Sequence, residues 1–278
     1  MPNHAYRATA APGVVQRARG TKTGRKLERG GYLTPEVVTM WVVYALTLLG
    51  NVVIEGGQVG NNTSASVAYG GAYTWFAPAG YVFSIWSLIY VANIVWLVAY
   101  TRTAPTRPKR FTATSVLFIA SCVLNVLWLA LWHFNQVGIG FIVILAEWAV
   151  LAALYLSVRR WAKRGSEWIP ISLYAAWITV ATLANLAILV ERVTGGGLPF
   201  LGALGAIVLT AGVLALGFAM KRAYGDNFFQ IVFLWALVGV GVHVAEASWL
   251  AAGIVFLLCV AGAILTFMPK GTLRSLRG

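Results

Sequence analysis

Charge is what this chain has least of. Asp, Glu, Lys and Arg make up 10% of its 278 residues, against about 25% in soluble globular domains. A mean hydropathy of +0.77 points the same way. Together these exclude a soluble enzyme. The long apolar runs lack the polar–apolar alternation of membrane strands, which excludes a β-barrel. Cysteine is scarce: Cys122 and Cys259 both sit inside apolar runs, so they imply no disulfide framework and no compartment. The three histidines are scattered and form no metal cluster. There is no nucleophile–base constellation and no phosphate loop, so an enzymatic reading is weak. No internal repeat stands out, and the broken helices of secondary transporters are not visible.

What is present is length and apolarity. Eight segments reach, or nearly reach, the ~20 residues needed to cross the hydrocarbon core. They fall near 36–54, 79–101, 111–134, 138–158, 168–191, 198–220, 226–243 and 247–268. The expected fold class is therefore an all-α integral membrane protein. Residues 1–34 are basic, with Arg7, Arg17, Arg19, Lys22, Arg25, Lys26 and Arg29 against Glu28. They lack the apolar core of a signal peptide. They read either as a flexible basic tail beside anionic lipid or as a transit peptide.

Positive charge is unevenly placed. Lys and Arg follow spans 2, 4, 6 and 8 and fill the N-terminal tail. That puts 20 of the 21 on one side of the membrane and leaves Arg192 on the other. By the positive-inside rule both termini are expected in the cytoplasm. The membrane is then a bacterial inner membrane or an organellar one. The net charge of +13 is explained by topology and calls for no nucleic-acid partner.

The longest non-cytoplasmic loop, 55–78, carries Tyr69, Tyr73, Trp75 and Phe76. A long aromatic loop above a helical bundle is a candidate lid. It leads through Pro78 and Gly80 into span 2, with Phe83, Trp86, Tyr90, Asn93 and Trp96 along it. Pro and Gly fix how the chain starts that helix. This stretch is either the wall of a site for a flat apolar ligand or an interfacial aromatic belt.

At 1.5 Å per residue, helix register gives depth. Trp86, Asn125, Trp128, Glu147, Trp148, Ala181 and Asn185 all fall roughly 9–15 Å beneath the non-cytoplasmic surface. They come from four different spans. Tyr174 and Trp177 continue down span 5 on the face of Ala181. Asn125 and Asn185 serve either a site or helix association, where an interhelical hydrogen bond is worth ~0.6–2 kcal/mol. A charged, unpaired carboxylate at the depth of Glu147 costs several kcal/mol. Glu147 is therefore neutral, paired, or facing a wet cavity. His133, and His243 with Glu246, are interfacial residues or touch a haem-like ligand or proton path.

Three motifs in order resemble the translocator protein / tryptophan-rich sensory protein (TspO/MBR) family. Ala77-Pro78-Ala79-Gly80-Tyr81-Val82-Phe83 followed by Trp86-Ser87-Leu88-Ile89-Tyr90 is similar to that family's opening of the second helix. Leu124-Asn125-Val126-Leu127-Trp128 matches its third-helix motif. Tyr174, Trp177, Ala181, Thr182 and Asn185 stand at the spacing of its fifth-helix motif. The resemblance covers about 36–191 and implies a five-helix bundle over 35–192. A three-helix extension over 193–270 and a short basic tail at 271–278 complete the chain.

The resemblance further implies a pocket for a porphyrin, haem-related tetrapyrrole, sterol or lipid. Trp86, Tyr90, Asn125, Trp128, Trp177, Ala181 and Asn185 would line it, with Trp75 and Pro78 as the cap. Phe83, Glu147, Trp148 and Tyr174 join them as candidates from the motif and the depth layer. No cofactor is required, although a bound porphyrin, haem or lipid is admissible. A sensor, carrier or scavenger role follows. The alternatives are a proton-coupled transporter using Glu147 and a structural subunit of a larger membrane complex. Partners would be membrane lipid, the small-molecule ligand, and a second copy or complex subunits. Light-dependent porphyrin breakdown has been proposed within the family. The chain departs from the pattern at Ala79, Leu173, Ala184 and Leu189, in carrying Glu147, and in its three last spans.

Overall fold

The computed structural model describes residues 31–106 and 110–267. The basic tails expected at 1–34 and 271–278 lie outside it, save residues 31–34. Among the described residues every regular element is helical. Nine α-helices follow in order: α1 Pro35–Asn51, α2 Ser64–Tyr69, α3 Ile85–Arg102, α4 Ala113–His133, α5 Val137–Arg159, α6 Gly165–Thr194, α7 Pro199–Tyr224, α8 Phe228–Ala245 and α9 Trp249–Phe267. All but α2 belong to segments long and apolar enough to cross a membrane, eight in number as the sequence predicts. The protein is a multi-pass integral membrane protein.

Local signals set the helix ends. The Thr34 hydroxyl accepts from Val37 N at 3.3 Å, and Pro35 and Glu36 open α1 as a first turn prefers. Thr112 and Ser115 form a reciprocal capping box on α4, and Thr63 and Ser66 do the same for α2. Gly195 and Gly225, at φ +69 and +67, end α6 and α7 in the left-handed conformation that glycine adopts most cheaply. α6 starts three residues before the predicted 168. Glu167 Oε2 accepts from Lys163 N and Arg164 N at 2.6 and 3.0 Å and so caps the additional turn.

α6 is the central helix. It packs on α5, α3 and α8, and 72% of its most apolar window is buried, far more than in α1 or α7. The end of the bundle remote from α2 is closed by two buried acids. Glu36 Oε1 accepts from Tyr100 OH, Thr112 N and Thr112 Oγ1 at 2.9, 3.0 and 2.8 Å, joining α1, α3 and α4. Asp226 is fully buried. It accepts from Ser172 Oγ at 2.6 Å, Tyr155 OH at 3.1 Å and Phe228 N at 2.8 Å, joining α5 and α6 to the start of α8.

The last three helices do more than extend the bundle. α8 holds the Pro/Gly lead-in of α3. Ala79 N donates to Gly239 O at 3.0 Å, and Trp235 Nε1 donates to Val82 O at 3.2 Å. A Cβ at Gly239 would stand 2.1 Å from Val82 Cγ2, so only glycine lets the two backbones approach. Gly239→Ala is therefore expected to destabilise the protein by about 1–3 kcal/mol through overpacking. Its thermal midpoint in detergent should fall, whereas Gly205→Ala, where a Cβ meets nothing within 4 Å, should leave it unchanged.

Candidate functional site

Trp86 stands at the centre of an aromatic cluster. Its ring lies 5.5 Å from Tyr90, 6.5 Å from Trp128, 6.1 Å from Tyr174 and 6.1 Å from Trp177, centroid to centroid. Phe83 meets Trp177 edge-on at 6.2 Å. Such pairs prefer offset or edge-to-face geometry and add about 0.5–1.5 kcal/mol each beyond area burial. Trp128 is held by its indole, which donates to Asn185 Oδ1 at 3.1 Å. Asn185 Nδ2 in turn donates to Ala181 O at 2.8 Å.

Two cavities share Trp86 and Phe83 as a common wall. The first is nearly closed, about 30 Å³, and lies between α3, α4 and α6 beneath Pro78. Trp86, Trp128, Trp177, Ala181 and Asn185 line it. Among the described residues the buried Trp177 Nε1 has no hydrogen-bond acceptor, and an orphaned buried donor is uncommon. The second cavity, about 390 Å³, opens between α1 and α3. Asn51, Glu55, Ser64 and Tyr90 give it a polar side opposite Phe83, Trp86 and Leu129.

Below the cavities runs a buried polar chain. Tyr90 OH donates to Asn51 Oδ1 at 2.8 Å, and Asn51 Nδ2 to Asn125 Oδ1 at 3.1 Å. Asn125 Nδ2 and Tyr174 OH then donate to Glu147 Oε1 at 3.4 and 2.7 Å. Glu147 is fully buried, and its Oε2 has no hydrogen-bond partner among the described residues. Two neutral donors thus serve one oxygen of this carboxyl. Asn51 and Tyr90 carry the chain up to the wall of the larger cavity.

The lid is an ordered structure. α1 does not stop at Asn51 but widens into a π-helical turn over Val52–Gly56. Such turns are rare and often sit at functional sites; this one lines the larger cavity. Glu55 accepts from Ser64 Oγ at 2.7 Å and from Ser64 N at 3.2 and 3.3 Å, and lies 3.1 Å from His133 Nε2. Trp132 Nε1 donates to Ser64 O at 3.2 Å, and Arg192 Nη2 to Val67 O at 2.8 Å. α2 is thus fastened to α4 and α6.

The other edge of the lid reaches α8. Tyr69 OH donates to Pro78 O. Tyr73 OH donates to His243 O at 2.6 Å, and its ring stacks on that imidazole at 4.7 Å. Burial, and then the Glu246 carboxylate, push both phenols up to about 12. A folded value above the ordinary 10.0 means stabilisation that is complete below pH ~10 and is lost as pH rises towards ~12. An alkaline titration of tyrosinate absorbance, compared with Tyr69→Phe and Tyr73→Phe, should place both groups above the ordinary range. Ionisation of the pair near pH 10 would contradict this account of the lid.

The sequence profile of the TSPO-like protein family matches residues 37–269. The chain belongs to the TSPO-like family. The match runs on through α7–α9, beyond the 36–191 over which the motifs are recognisable. Comparison with curated proteins and with solved structures gives no match.

In this TSPO-like chain the structure gathers Pro78, Phe83, Trp86, Trp128, Trp177, Ala181 and Asn185 around one cavity. Tyr90 lines the neighbouring cavity, while Asn125, Glu147 and Tyr174 belong to the polar chain beneath. Two expected members are elsewhere. Trp148 is 39% exposed on the outer face of α5, and its indole donates to Thr179 Oγ1. It shares its depth with Glu147, but successive helical residues are turned about 100° apart, so only one of the two faces inward. Trp75, expected as a cap, is turned against α7, where a Cβ on Gly202 would come within 2.2 Å of its ring. Phe76 and Pro78 are among the buried residues of the lid.

Sequence reasoning passed over Asn51 and Glu55. Their i, i+4 spacing in an otherwise apolar helix end was the available signal. His133, the last residue of α4, is fully buried, with Nδ1 2.9 Å from Leu129 O and Nε2 3.1 Å from the Glu55 carboxylate. Nothing in local pattern announced Asp226 as a buried bridge.

Proposed function

We propose that this protein binds a flat, largely apolar small molecule against Trp86, beneath the lid, as a membrane-embedded sensor, carrier or scavenger. A tetrapyrrole such as a porphyrin or haem fits the expectation, with a sterol or lipid as the other members of the class. The observation that carries the reading is the pair of cavities that share Trp86 and Phe83 as lining. The larger, at about 390 Å³, falls within the ~300–1,000 Å³ of small-molecule sites. Rotation of the Trp86 ring would join it to the closed cavity, where Trp177 Nε1 offers an unused donor. Family membership supports the same reading. The proposed orientation places the lid on the non-cytoplasmic side and both termini in the cytoplasm, on the distribution of Lys and Arg.

Titrating the purified, folded protein with protoporphyrin IX tests the proposal. Saturable quenching of tryptophan fluorescence that weakens in Trp86→Leu is expected. Absence of saturable quenching, with the fold intact, would count against it.

One observation favours a second reading. The hydrogen-bonded chain from Tyr90 to Glu147 supports a proton-coupled transporter. That reading requires pH-dependent flux in liposomes that Glu147→Gln removes.

A further inference from the structure

A third cavity, about 410 Å³, lies between α6 and the first half of α7, outside the Trp86 site. Its walls are apolar, with Val190, Leu201 and Leu209 among them, and Trp75 and Phe76 of the lid form its roof. From Leu198 to Leu209 the groove follows about 16 Å of helix axis. One charged side chain lines it, Glu191 at the lid end. Among the described residues no donor or cation engages the Glu191 carboxylate. Its neighbour Arg192 is committed elsewhere, to Val67 O and Asn135 Oδ1.

An apolar groove that ends at a carboxylate with no partner among the described residues is complementary to one kind of molecule. It would hold an apolar chain and a cationic head, since a charge-assisted N–H···O bond is about twice as strong as a neutral one. An anionic head would meet Glu191 as a like charge. We infer that the α6–α7 groove binds a long-chain primary amine from the surrounding membrane, with its ammonium on Glu191 and its chain running along α7. The groove is built from α7, which the five-helix pattern lacks, and the inference does not depend on the Trp86 reading. Because Trp75 and Phe76 belong to the lid, an occupied groove also braces the lid from the α7 side.

Native mass spectrometry of the full chain in maltoside micelles tests this, with dodecylamine, dodecanol or dodecyl phosphate added. One dodecylamine per chain should be retained, about tenfold more readily than either of the others. Glu191→Gln should reduce amine retention to the dodecanol level. Gly205→Leu grows a side chain into open groove, since a Cβ there meets nothing within 4 Å. It should abolish amine retention while leaving protoporphyrin quenching unchanged. Equal retention of the three amphiphiles, preference for dodecyl phosphate, or amine retention untouched by both substitutions would overturn the assignment. Failure of the porphyrin titration alone would leave these outcomes unaffected.

Discussion

Ala181→Leu should weaken protoporphyrin binding about a hundredfold, equivalent to ~2.7 kcal/mol, while the protein stays folded. Ala181 is 8% exposed and lines the closed cavity together with Trp128 and Trp177. The three added carbons would more than fill the ~30 Å³ there and stop the Trp86 ring from turning inward. Part of the cost would appear as overpacking, at most ~1–3 kcal/mol of stability. Equilibrium titration by fluorescence quenching, paired with a thermal melt, separates the two effects. Unchanged affinity in a folded Ala181→Leu protein would place the ligand outside this cavity.

Glu147→Ala is expected to be the most destabilising change in the polar interior. It leaves Tyr174 OH and Asn125 Nδ2 without their acceptor inside a fully buried site. An orphaned buried donor costs about 1–3 kcal/mol, and the missing side chain adds a cavity. The loss should total about 3 kcal/mol, reduced in so far as the unfolded chain in lipid finds other partners. Glu147→Gln retains an oxygen for Tyr174 and should recover most of that loss. Thermal melts of the two variants in one detergent provide the comparison. Glu147 lines neither of the Trp86 cavities, so porphyrin affinity should hold in Glu147→Gln. A Glu147→Gln protein as unstable as Glu147→Ala would mean that hydrogen bonding to Tyr174 is not what the residue supplies.

These two residues also mark how far the sequence could be read. Ala181 belonged to a run of residues spaced for one face of a helix, and helical spacing is a local property. Depth was readable for the same reason, because each residue advances a helix by a fixed rise. Trp86, Trp128 and Asn185 accordingly meet as expected. Azimuth was harder. Glu147 and Trp148 share a depth, and an α5 that is apolar all round gives little indication which of them faces inward. Trp75 was misplaced because its direction depends on α7, where Gly202 leaves room for its ring. The π-helical turn after Asn51 and the bridge at Asp226 are tertiary features. Asn51, which precedes the turn, and Asp226 both bond partners more than fifty residues away, Asn125 and Ser172. The lid was visible as a long aromatic loop, but its fastening by Arg192, His133 and His243 was not.

The three last helices were expected as an addition to a five-helix bundle. Gly239 and Trp235 instead hold the backbone that leads into α3, so α8 helps to position Phe83 and Trp86. Loosening that contact should therefore disturb the site as well as the fold.

The most direct test is an experimental structure of the protein with protoporphyrin IX bound. The account predicts a planar ligand stacked on Trp86 between α3, α4 and α6, beneath Pro78 and with the lid closed above it. Porphyrin lodged in the α6–α7 groove, or excluded from the Trp86 cavities at saturating concentration, would contradict it.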